Sequence, residues 1–169
     1  MSLLQINEKL DFLFNDLSFS QELQKSLLFA LEISEVSFAH ISILDSSKQF
    51  IKNNSGVDFD MFSEYISQWN SIVIENKEPY FISEDIINSK QIEIPLQFYA
   101  GFPLIYDDKV IGIFCLADFK NKILSDSQLK VLNYVLGQIQ SSLESQIRVY
   151  QKEKNLNYLL KIQRRFFTS

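Results

Sequence analysis

The sequence predicts an α+β domain built on an antiparallel sheet, and three observations carry that reading. Two apolar runs flank Asp107-Asp108, a two-residue loop of the length that antiparallel hairpins favour. A second strand pair is predicted at 36–44 and 49–52 around the turn Asp45-Ser46-Ser47-Lys48. Ser125-Asp126-Ser127-Gln128 is a capping box, in which a Ser hydroxyl and a Gln three residues on satisfy two orphan amides at a helix start.

The elements follow in order. Leu3, Ile6, Leu10, Leu13 and Leu17 step by three and four residues, a narrow seam suited to pairing with another helix. Ser18 with Gln21 gives another capping-box pattern, and Leu23, Leu27, Ala30 and Leu31 carry a second helix to about Ile33. The strand pair comes next, then a loop at Asn53-Asn54-Ser55-Gly56. Phe62, Tyr65, Ile66, Trp69, Ile72 and Val73 mark a helix by their spacing. Pro79 follows its end, and residues 80–83 read as a short strand. Residues 84–97 are irregular, and the hairpin of residues 98–118 follows. The last helix starts near Asp126 with no stop signal before Arg165, and Gln151–Asn155 interrupts its apolar seam. Such a helix is roughly 60 Å long, so its far half projects from a small domain.

Composition narrows the function classes. The chain has 169 residues and one cysteine, which excludes an internal disulfide and a multi-thiolate metal site and fits a reducing, cytoplasmic setting. Four Gly among 169 residues argue against a Gly-rich phosphate cradle. No apolar run approaches the roughly 20 residues of a membrane span. The net charge is −5, yet residues 148–169 carry six basic residues against Glu153 alone, a net +5. The remaining acidic body is unsuited to nucleic acid. The basic tail reads as a solvated helix face, with an acidic partner or surface as the alternative.

The stretch F-Y-A-G-x-P-L from Phe98, the hairpin, G-x-x-C-x-x-D at Gly112–Asp118, a short loop with Leu124 and then the closing helix resemble the second half of a GAF domain. The resemblance is clearest over 98–145 and holds in element order over 20–97. It implies a sheet of five or six antiparallel strands with helices on one face. Loops and short helices on the other face enclose a small-molecule pocket. It also implies a homodimer through the N- and C-terminal helices and an output domain, such as a histidine kinase, in cis or in trans. The domain layout expected is a dimerisation helix at 1–19, the GAF-like domain at 20–145 and a signalling helix at 146–169. Activities known in the family find little support. Methionine sulfoxide reduction needs several cysteines and this chain has Cys115 alone. Cys115 sits mid-strand among apolar neighbours, where a buried, unreactive thiol is expected instead of a bilin attachment point. The N-K-x-F-D-E signature of cyclic-nucleotide binders begins at Asn121-Lys122 and is not completed. The expectation is therefore a sensor that is not an enzyme, with no catalytic residue, metal or cofactor. The alternative is an interaction module whose pocket is filled by its own aromatics.

The site residues expected to meet a ligand are His40, Ser42, Tyr65, Trp69, Tyr99 and Phe114. On the first strand Ala39, Ile41 and Ile43 form an apolar face, while Phe38, His40, Ser42 and Leu44 form a mixed one. A sheet covered on both sides turns the mixed face to the pocket, so His40 is either a ligand contact or a hydrogen-bonded structural histidine. Tyr65 and Trp69 share a face of the pocket-side helix. On the last strand Gly112, Phe114 and Leu116 alternate with Ile113, Cys115 and Ala117, and the first set is expected to face the pocket. Asp118 is expected to accept amide hydrogen bonds from the following turn, and the Asp107-Asp108 pair to lie exposed at its hairpin.

Overall fold

A computed structural model describes residues 17–44, 49–53, 58, 60, 63–82 and 96–167. The elements run α1 (Leu17–Ser34), β1 (Phe38–Ile43), β2 (Gln49–Asn53), α2 (Ser63–Asn76), β3 (Tyr80–Ile82), β4 (Phe98–Tyr106), β5 (Lys109–Asp118) and α3 (Asp126–Phe167). Of the expected elements, residues 3–16 of the first seam, the turn at 45–48, residues 54–56 of the loop at 53–56 and residues 84–95 of the irregular stretch at 84–97 lie outside the described residues.

The five described strands form one sheet in the order β2-β1-β5-β4-β3. Every neighbouring pair is antiparallel, and β1–β2 and β4–β5 are the two predicted strand pairs. Asp107 and Asp108 both have positive φ, 52° and 59°. That is the backbone of the two-residue turn matching the right-handed twist of a hairpin. The strands pair from Tyr106↔Lys109 to Phe98↔Asp118, with a bulge at Leu104/Ile105. The bulge lets Ile111 and Phe114 share the same side of the sheet, where alternation alone would separate them.

One face of the sheet is covered by α1 and α3. Phe19, Leu23, Leu27, Ala30 and Leu31 of α1 meet Leu132, Val135, Ile139, Leu143 and Ile147 of α3 over Ala39, Ile41, Phe102, Leu104, Phe114 and Leu116. The two helices run antiparallel, tied near both ends. Gln128 donates to the Ile33 carbonyl at 2.9 Å, and the Ser142 hydroxyl donates to Glu22 at 2.6 Å. Helix α1 ends at Glu35, whose φ of 53° is left-handed and whose N–H closes on the Leu31 carbonyl at 2.9 Å. Leu17 is already helical, so Ser18 stands inside α1 and does not cap its start, contrary to the capping-box reading.

The second capping box is present. Gln128 N–H donates to Ser125 Oγ at 3.2 Å, and Ser125 N–H donates to Gln128 Oε1 at 2.9 Å. From there α3 continues for 42 residues, roughly 63 Å at 1.5 Å per residue. Its inner half buries residues at steps of three and four. Its outer half exposes Leu156, Tyr158, Leu159, Leu160, Phe166 and Phe167.

Candidate functional site

The opposite face of the sheet is covered by α2, and its chemistry differs. Ile66, Trp69 and Val73 of α2 pack on Phe38, Tyr99, Val110, Ile113, Cys115 and Ala117. Into this apolar layer the chain inserts polar groups in pairs. The Tyr99 hydroxyl donates to Asn70 Oδ1 at 2.5 Å, with both residues buried. His40 Nδ1 lies 3.7 Å from Cys115 Sγ, the two residues being direct cross-strand partners. Burial supplies the reason for pairing: a polar group left unmatched in such a layer costs about 1–3 kcal/mol.

Tyr99 is positioned from the backbone upward. Its ring lies over Gly101, two residues on and on the same face. A Cβ at Gly101 would collide with the Tyr99 hydroxyl end. Glycine in F-Y-A-G-x-P-L is thus the clearance that lets Tyr99 reach Asn70. Trp69 closes the other side, its ring centroid 5.1 Å from that of Tyr99 at 56°.

Burial also fixes protonation. It pushes the Cys115 thiol up to about 12. It raises Tyr99 strongly as well, with smaller contributions from Cys115 and then Tyr80. Both groups are neutral at physiological pH, so this face offers neutral donors and acceptors set in aromatic walls. Cys115 is buried as expected, and its thiol is held away from the reactive thiolate.

The predicted residues divide. His40, Trp69 and Tyr99 come together on the α2 face, with Tyr65 half-buried against the same cluster. Ser42, half-buried, shares this face because it pairs with Ile113. Phe114 does not. It pairs with Ile41 and packs in the α1/α3 layer, so the set Gly112, Phe114 and Leu116 faces away from Trp69. Both faces of this central strand are apolar, and alternation could say which residues travel together but not which side they take. Asn70 was missed; a lone Asn in a helix has no sequence signal that a tyrosine hydroxyl will meet it. Asp118 behaves as expected, accepting Lys120 N–H at 2.9 Å, and adds a bond from Ser37 N–H at 3.0 Å that ties the entry of β1 to the exit of β5. Among the described residues no group of three or more His, Cys, Asp or Glu could hold a metal, and no helix is long and apolar enough to cross a membrane.

This architecture defines a class: the chain has the GAF fold. Its similarity to the GAF domain of a phosphoenolpyruvate-protein phosphotransferase from Acinetobacter covers 88% of this chain and 98% of that one, at TM-score 0.57 and 15% identity. A domain assigned to a two-component sensor histidine kinase protein of Sinorhizobium meliloti 1021 is similar over 79% of this chain and 96% of its own, at TM-score 0.55 and 16% identity. A type II free methionine-R-sulfoxide reductase from Thermoplasma acidophilum is similar over 75% and 92%, at TM-score 0.51 and 14% identity. No protein-family model matches the sequence, and a search of curated proteins finds no match. Identities this low establish the fold. The neighbours' different activities show that one fold carries several functions.

Proposed function

We propose that this chain is a cytoplasmic sensory GAF module, not an enzyme. It binds a small molecule on the α2 face and relays the site's state through helices paired in a homodimer to an output domain such as a histidine kinase, in cis or in trans. The observation that carries the reading is α3. It starts eight residues after β5 ends, is locked there by the Ser125/Gln128 box, and is 42 residues long, with no buried side chain among the described residues beyond Ile147. A strand shift at β5 moves the start of a rod whose far end is free for a partner. The proposed layout is a dimerisation helix at 1–19, the sensor domain at 20–145 and the signalling helix at 146–169. His40, Ser42, Tyr65, Trp69 and Tyr99 are the proposed ligand contacts; Phe114 is withdrawn, because it lies on the other face.

A second reading has its own support. Trp69 rests directly on Tyr99, and Tyr99, His40 and Asn70 are satisfied and buried. A face filled this way suits an interaction module that binds no ligand. Trp69 is the chain's one tryptophan, so its emission reports on this face alone. Titration with pooled nucleotides, amino acids and organic acids should give a saturable change in Trp69 emission for one pool. Native mass spectrometry of the purified chain should then show the bound mass. An unchanged emission for every pool, together with a bare native mass, would establish the filled-face reading.

A further inference from the structure

A concavity lies on the side of the sheet away from Trp69. It has a volume of about 380 Å³ and opens between β4, α3 and the turn after α2. Phe102 and Leu104 form one wall, Leu136 and Gly137 of α3 the other, with Gln140 and Lys77 at the polar ends. Such a volume, with apolar walls and few polar groups, falls within the range of small-molecule sites, roughly 300–1,000 Å³.

Two features of this cleft bear on what it could hold. Gly137 stands in the interior of α3, where glycine costs about 1 kcal/mol relative to alanine. A Cβ built there would meet nothing within 4 Å. No close packing demands the glycine, and its effect is to keep the wall open. Lys77 is held at the mouth by a left-handed φ of 56°, with its N–H on the Val73 carbonyl at 2.9 Å. Its ammonium donates to the Asp108 carbonyl at 3.1 Å, and no carboxylate is ion-paired with it among the described residues. An ammonium has three donors, so Lys77 has capacity for an anion beside an apolar trough.

We infer that the cleft between β4 and α3 is a binding site for a small amphipathic carboxylate. The acid group pairs with Lys77 and the apolar body lies along Phe102, Leu104, Leu136 and the gap at Gly137. The site is separate from the Trp69 face and does not depend on a ligand binding there. Its position has a mechanical consequence. The Gln140 amide clasps β4 at the bulge, donating to the Ile105 carbonyl and accepting from Ile105 N–H, the latter at 3.0 Å. An occupant beside that clasp touches the sheet and the outgoing helix at once.

The test uses the full chain with octanoate and its uncharged counterpart octanol, followed by calorimetry and amide NMR. Saturable octanoate binding is expected, with shifts concentrated at Leu104, Ile105 and Leu136 and none at the Trp69 indole. Lys77→Met should weaken octanoate about two- to fivefold, the range of an exposed ion pair, and leave octanol unchanged. Gly137→Leu fills the cleft with a good helix former and should abolish both, while Gly137→Ala, too small to fill it, should bind as the parent does. The inference is overturned if octanoate shows no saturation, if Gly137→Leu still binds while retaining its circular dichroism, if Lys77→Met leaves octanoate affinity unchanged, or if the shifts map to Trp69.

Discussion

The two faces of the sheet differ in what they are made of. The face under α1 and α3 is a continuous apolar layer, from Phe19 through Phe114 to Ile147. The face under α2 is as buried but carries Tyr99, Asn70, His40 and Cys115 as matched polar pairs. The side chains of the first face's apolar layer have only shape to satisfy, the polar ties of that face lying at its edges, so a well-packed apolar set of the right volume serves there. The second must satisfy shape and hydrogen bonding together, which specifies each residue more narrowly. A protein that needs stability alone has no use for the second arrangement, and this is why the α2 face is the better place to look for function.

Truncation should separate the faces. Leu143→Ala removes a fully buried side chain from the apolar layer and should cost about 2–5 kcal/mol in urea unfolding. The emission of folded Trp69 should be unchanged, because the lesion lies across the sheet. Tyr99→Phe keeps the ring and removes one oxygen, leaving Asn70 Oδ1 without its donor. The expected loss is about 1–3 kcal/mol, and here Trp69 emission should shift, since the altered ring lies 5.1 Å away. Equal spectral responses from both variants would break the distinction between the faces.

The entry to α3 offers a smaller effect. Ser125→Ala removes the hydroxyl that accepts Gln128 N–H and should cost about 1 kcal/mol. Gln128→Ala should cost more. Its amide oxygen caps Ser125 N–H and its amide nitrogen donates to the Ile33 carbonyl, so it joins α3 to the end of α1 as well. Chemical denaturation of both variants checks the order, and a larger loss from Ser125→Ala would show that the tie to α1 contributes nothing.

Much of this was legible in the residues, and what was not has a common cause. Hairpins, caps and helical spacing are local signals, and β1 through α3 appear where those signals stand. Asp107-Asp108 was readable because a two-residue loop has few backbone solutions. The side taken by Phe114 was not, because it depends on the register of β5 against β1, set by contacts distant in sequence. Asn70 and Gln140 were invisible for the same reason: each is a polar residue in a helix until a partner from another element reaches it. Gly137 carries no mark of a role in the sequence. Its meaning comes from what stands across the gap.

The finest distinction between the faces is electrical, and it stays silent in ordinary buffer. The Cys115 thiol moves from 9.0 to about 12 on folding because its thiolate would be buried without solvent. Below about pH 9 the thiol is protonated in both folded and unfolded chains, so it contributes no pH dependence. Between about 9 and about 12 the unfolded chain loses this proton and the folded chain keeps it, so stability falls as pH rises. The other tyrosines and the lysines titrate in the same range, and the measurement must therefore be a difference. Cys115→Ala should run parallel to the parent in melting temperature from pH 6 to 8. Above pH 9 it should lose stability less steeply, closing part of the gap left by the lost side chain. Curves that stay parallel through pH 11 would mean that the α2 face admits solvent to this thiol. The buried, water-free character assigned to that face would then be wrong.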